Sequence, residues 1–244
     1  MPTDSYSLFT DVIGLITLLF FFASWFGYSL YAHYQSKRRD CLVSIMHQLR
    51  LAWMLRLLKR DNRIGDVSIM ANLERSSLFF ASSSLLIVAG LFTAFNYSEK
   101  ALGIISEFYL LAPSSRQEWE LKVVILIVIF AYAFFTFTWS VRQYNFGSVL
   151  VGSAPMATER GFTEEERDAY AIHMAEVCSL AANQFNYGLR AYYFAMAFSG
   201  WFLGPHFCII SALIVIYILY RREFRSKTFK ALKRGRLASG EHVT

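Results

Sequence analysis

Apolar residues gather along this chain in long stretches separated by segments dense in charge. A helix crosses about 30 Å of hydrocarbon with about 20 residues at about 1.5 Å each. Leu8 to Ala32, Ser77 to Tyr97 and Leu121 to Val141 meet that length. Asp11 interrupts the first near its start, and Lys122 lies close enough to the end of the third to snorkel. A fourth stretch, Asn183 to Tyr220, is too long for one crossing, and Gly204-Pro205 sits inside it. Proline lacks a backbone donor and disfavours helix at the residue before it, so we read 183–203 and 206–220 as two helices joined by a short turn. A re-entrant hairpin and a single kinked helix are the rival readings. The fold class this predicts is all-α: a polytopic helical membrane protein of about five transmembrane helices, or four if Asn183 to Tyr220 is one kinked span. A single multi-span domain covers 1–226 and a basic tail covers 227–244.

Two segments outside the spans carry helical periodicity. Leu42, Ile45, Met46, Leu49 and Trp53 recur on one face, with Ser44, His47 and Gln48 opposite, which predicts an amphipathic helix over 42–60. It either lies on anionic lipid or forms the core helix of a small subdomain. Thr163 and Glu166 have capping-box spacing, and Glu164, Glu165 and Asp168 suit a positive helix N-terminus. The helix of 163–182 they begin runs straight into the fourth span.

Composition agrees with a membrane setting: 55% of residues are hydrophobic and only 17% charged, against about 45–50% and about 25% in soluble domains. The net charge of +6 would raise nucleic-acid binding in a soluble chain, but its placement points elsewhere. Most of the 24 Lys and Arg fall between the first and second spans or in the tail. Basic segments stay cytoplasmic, which places the N-terminus outside and the C-terminus inside an inner (plasma) membrane and favours an odd number of crossings. The first span lacks the charged start and cleavage site of a signal peptide, so it is expected to persist as an anchor. Cys41, Cys178 and Cys208 form no C-x-x-C pair, and the five histidines show no ligand spacing, so neither a metal nor a cofactor is expected.

No nucleotide-binding or catalytic motif is present, and no catalytic residue is assigned. Gln143-Tyr144-Asn145-Phe146-Gly147 and Gln184-Phe185-Asn186-Tyr187-Gly188 repeat one pattern of amide, aromatic, amide, aromatic, glycine. With Arg190 just beyond, Gln143, Asn145, Gln184 and Asn186 are candidates to line a pore or vestibule, the alternative being an aromatic belt with amides at helix ends. Asn62, Arg63, Asp66, Glu74 and Arg75 form a candidate polar network that holds a subdomain together. Gly90 with Ala94, and Ala191, Ala195, Ser199, Gly200 and Gly204, are small residues at helix-packing spacing, within the chain or between copies of a homo-oligomer. The leading expectation is an oligomeric channel or transporter for an ion or small solute. A non-transporting scaffold or regulator that binds lipid or a protein through its basic face is the alternative. An interfacial lipid-modifying enzyme, with His173 and the neighbouring Glu cluster, is the third.

Several separated blocks also resemble one family. They are Asn62-Arg63-Ile64 with Asp66, Arg75-Ser76-Ser77-x-Phe79-Phe80-Ala81-Ser82, Phe137-x-Trp139-Ser140-x-Arg142-Gln143-Tyr144, Phe185-Asn186-x-Gly188-x-Arg190-Ala191-Tyr192-Tyr193-Phe194, Trp201 near Pro205, and Arg222-Glu223-Phe224-x-Ser226. Together they resemble the domain of unknown function family 599, polytopic membrane proteins of bacteria and plants, over roughly Gly14 to Ser226. The resemblance implies one multi-span membrane domain and supplies no activity, substrate or cofactor.

Overall fold

A computed structural model describes residues 12–97 and 115–238. The start of the first predicted span, with Asp11, most of the segment between the second and third, and the last residues of the tail lie outside the described residues. Helix accounts for nearly all of what is described: α1 (Val12–Arg38), α2 (Leu42–Leu58), α3 (Ile64–Asn96), α4 (Arg116–Ser153), α5 (Glu164–Ser199), a 3-10 turn (Gly200–Phe202), α6 (Pro205–Arg225) and α7 (Lys227–Ala238). Of these, α1, α3 and α4 are long and apolar enough to cross a membrane. Their outward side chains include Leu19, Phe26, Leu86, Phe92, Val128 and Phe135, all exposed. So much contiguous apolar surface is stable only where lipid covers it, and helices satisfy their own backbone there. This is an all-helical membrane protein.

The helices outrun the apolar stretches that announce them. At about 1.5 Å per residue, the 38 residues of α4 extend well past a bilayer core, and α3 begins at Ile64 rather than near Ser77. Local chemistry sets the ends. Asn62 Oδ1 accepts the first free N–H of α3, from Ile64, at 2.9 Å. Ser115 and Glu118 exchange backbone bonds in a capping box that opens α4. Thr163 and Glu166 do the same for α5, Thr163 N–H donating to Glu166 at 2.8 Å. No proline occurs between Gln117 and Ala154 to stop α4, which ends just before Pro155. Helix α5 then runs unbroken from polar water-facing turns into the predicted fourth span, as its face pattern requires.

At Gly204-Pro205 the chain forms two helices and not one kinked helix. The last turn of α5 tightens into the 3-10 turn, Gly204 adopts φ +141, and Pro205 takes the first position of α6, where its missing N–H costs nothing. A side chain at that φ is strained, so Gly204→Ala is expected to destabilise the protein by about 1–3 kcal/mol, read as a lower thermal unfolding midpoint; a midpoint equal to wild type would contradict the assignment.

The chain divides into two compact units. One comprises 12–33, 82–97, 115–134 and 188–219. Its core is aromatic: Phe21 meets Phe194 and Phe198 edge to face at 6.0 and 5.1 Å, and Trp25 packs on Tyr132 at 5.6 Å. Ser84 and Tyr192 hydroxyls pair within it at 3.0 Å. The other comprises 34–81, 135–187 and 220–238. Met54, Leu57, Leu58, Met70, Val151, Met174 and Cys178 fill its core. Buried Ser77 and Ser140 pair at 3.1 Å, and Ser140 donates onward to the Ala181 carbonyl at 2.8 Å, so these two hydroxyls are satisfied in series.

Of the two readings of the 42–60 segment, the packing selects one. Along α2 only His47 and Arg56 are exposed, while Ile45, Ala52, Met54, Leu57 and Leu58 are buried. A helix covered on nearly every side is a core helix, not one lying on lipid with a free polar face.

Candidate functional site

The second unit contains a cavity of about 220 Å³ lined by Ser36 at the end of α1, Val43, Ser44, His47, Gln48 and Arg50 on α2, and Ser179 and Asn183 on α5. Positions 43, 44, 47, 48 and 50 follow the i, i+3, i+4 spacing that brings one strip of a helix to one side. His47 Nδ1 and Ser179 Oγ stand 2.9 Å apart, and Arg50 Nη1 donates to the same oxygen at 3.5 Å. Either member of the His47–Ser179 pair can donate, because a hydroxyl with two lone pairs takes the Arg50 bond with either imidazole tautomer. Arg50 is largely taken out of water, which pulls its basicity below the ordinary arginine value; the groups that offset this are Tyr144 and Cys178. Neither is an anion at neutral pH, and burial pushes the Cys178 thiol up to about 11. The carboxylate of Glu223 on α6 is engaged elsewhere, accepting from the Val43 N–H at 3.3 Å where the start of α2 favours negative charge.

Two polar clusters brace this unit. Asp66, 1% exposed, accepts from Trp53 Nε1 at 2.6 Å and from Arg60 Nη1 at 2.7 Å, both on Oδ1. Arg63 reaches the end of α4, donating to the carbonyls of Ala154 at 2.7 Å and Pro155 at 2.6 Å. Those carbonyls have no helical partner of their own, so the guanidinium acts as a C-terminal cap. At the other side of the unit, Ser226 caps α7 by accepting from Phe229 N–H at 3.0 Å, and Lys233 pairs with Asp40 at 2.8 Å. Helix α7 lies against α2. Phe229, Leu232 and Lys233 are half-buried there, while Lys227, Lys230 and Arg234 are exposed.

The family model described as protein of unknown function, DUF599, matches residues 16–228. The chain belongs to the DUF599 family. No curated protein and no solved structure matches it.

In this DUF599 member two of the residues proposed to line a pore, Gln143 and Asn145, lie on opposite sides of α4. Gln143 is 8% exposed with its Oε1 unpartnered among the described residues, while Asn145 is exposed. Two residues apart on one helix, they point to opposite sides. Both repeats lie inside continuous helices, α4 and α5, and neither caps a helix end. The repeat's glycine has a packing use: a Cβ at Gly147 would stand 2.6 Å from Met70 Cε and 3.3 Å from Cys178 Sγ. Gln184 and Asn186 are half-buried. Arg190, in the first unit, stacks over the Tyr28 ring at 5.6 Å.

Of the polar network, Asn62, Arg63 and Asp66 are structural as described, whereas no hydrogen bond or ion pair among the described residues joins Glu74 or Arg75 to them; the contributions of Trp53 and Arg60 were not legible. Ala191 and Ala195 are buried, and a Cβ on Gly200 would meet Ser211 Oγ at 2.9 Å, so this run packs inside the first unit. Ser199 is exposed and turns its hydroxyl back on the Ala195 carbonyl. Gly90 is exposed and a Cβ added there would meet nothing within 4 Å among the described residues, while Ala94 is half-buried. His173 is exposed, and its partner is Glu176 at 3.9 Å. Among the described residues no group of His, Cys, Asp and Glu is placed to hold a metal. The cavity was hidden in the sequence because Ser179 is 132 residues from His47; the polar strip Ser44, His47, Gln48 was its one visible trace.

Proposed function

We propose that this DUF599 member is a non-transporting membrane scaffold or regulator that engages anionic lipid through α7 at the cytoplasmic face of an inner membrane. Five crossings, α1, α3, α4, the 183–203 part of the α5 region and α6, put the N-terminus outside and α7 beside the inner leaflet. The observation that carries the reading is the face of α7. Its apolar side is held on α2, with Lys233 tied to Asp40, so Lys227, Lys230 and Arg234 stay outward on a fixed helix. Near an anionic leaflet each such cation contributes about 1 kcal/mol. The scatter of Gln143 and Asn145 over opposite faces of α4 is what weighs against the channel reading.

The test is hydrogen exchange of 227–238 in the full chain, in nanodiscs of anionic and of zwitterionic lipid. Protection is expected to rise in anionic lipid, to fall with added salt as the charges are screened, and to vanish in Lys227→Gln/Lys230→Gln/Arg234→Gln. Equal protection in both lipids overturns the proposal, as does specific ion or solute flux from liposomes holding the pure protein.

A further inference from the structure

Seven of the eight residues around the 220 Å³ cavity are polar, and none is Asp or Glu. Arg50 supplies a guanidinium whose one hydrogen bond among the described residues is the 3.5 Å contact to Ser179. A half-buried guanidinium with no carboxylate beside it is better stabilised where an anion or several strong acceptors meet it. No carboxylate among the described residues fills that role. Groups able to meet an anion line the cavity from two helices, Arg50 and the His47 imidazole on α2 and Asn183 on α5.

We propose that this cavity is a binding site for a small phosphate-bearing anion, either a free phosphomonoester or the headgroup of an anionic phospholipid. The chemistry follows from the lining. A guanidinium fork matches two oxygens of a phosphate, and charge-assisted bonds of this kind are about twice as strong as neutral ones. His47 lines the same cavity as the guanidinium, with its Nδ1 held by Ser179. Size bears on the ligand: pockets for drug-sized molecules run to about 300–1,000 Å³, so 220 Å³ suits a headgroup better than a whole nucleotide. With a guanidinium and no carboxylate in the lining, the cavity favours an anion over a metal cation. The site is separate from the exposed cations of α7 and stands or falls without them.

The full chain in nanodiscs of zwitterionic lipid tests this through its thermal midpoint, with inorganic phosphate, glycerol phosphate or, at matched ionic strength, chloride added. A second arm dopes the nanodiscs with phosphatidic acid. A ligand that binds only the folded state raises the midpoint with its concentration, so phosphate or glycerol phosphate, or phosphatidic acid, is expected to raise it where chloride does not. A soluble-probe response identifies a free anion; a response confined to phosphatidic acid identifies a lipid headgroup. Arg50→Gln is expected to weaken the apparent affinity at least tenfold. His47→Ala, at an exposed position that tolerates truncation, is expected to weaken it severalfold and keeps the test decisive if Arg50→Gln fails to fold. The triple variant of α7 is expected to leave the response in place. No response to any probe, or one that survives in the His47 and Arg50 variants, overturns the proposal.

Discussion

Replacing Arg63 with alanine is expected to lower the thermal unfolding midpoint of the detergent-solubilised protein by about 6–12 °C, the equivalent of about 3 kcal/mol in a chain of this size. The guanidinium closes the end of α4 by donating to Ala154 and Pro155 carbonyls at 2.7 and 2.6 Å. Hydrogen bonds from a charged donor contribute about 1.5–3 kcal/mol each, and their loss leaves carbonyls at a helix end without a partner. Arg63→Lys is not expected to restore the midpoint, because an ammonium is a point charge and cannot fork to two acceptors held side by side. If Arg63→Lys matched wild type, a simple charge effect would replace the cap. If Arg63→Ala melted within a degree of wild type, the cap would contribute nothing.

Asp66→Ala is expected to cost about 2 kcal/mol. The carboxylate is 1% exposed and accepts from the Trp53 indole at 2.6 Å, so truncation leaves a donor inside the unit without its acceptor, at about 1–3 kcal/mol. The ion pair to Arg60 adds little, since the Arg60 side chain is 48% exposed and water screens it. Arg60→Ala is therefore expected to cost less than about 1 kcal/mol. Urea or thermal unfolding of the three proteins distinguishes the two contributions. An Arg60→Ala loss as large as that of Asp66→Ala would mean that the ion pair, and not the indole bond, holds α2 against α3.

How far the sequence reached differs from element to element. The helix start at Thr163 and the break at Gly204-Pro205 were legible because capping and proline act within a few residues of themselves. The core role of α2 was one of two open readings. Its apolar face is visible in Leu42, Ile45, Met46, Leu49 and Trp53, but lipid and a protein core bury such a face equally well, and only the neighbours decide between them. That Gln143 and Asn145 lie on opposite sides of α4 has a local reason that was available: residues two apart on a continuous helix do not share a face. Reading the span as ending at Val141 hid that continuity.

By itself the sequence determined that the chain is helical, that it lives in a membrane, that it belongs among DUF599 proteins, and that a helix is capped at Thr163. Each of these rests on composition or on contacts within a turn or two along the chain. Only the tertiary structure decided that Arg63 closes a helix whose end lies 91 and 92 residues away, that Asp66 is shared by Trp53 and Arg60, and that His47, Arg50 and Ser179 enclose one cavity. Hydropathy records how much each residue prefers to leave water; it carries no information about which distant partner waits for a polar group once it has left.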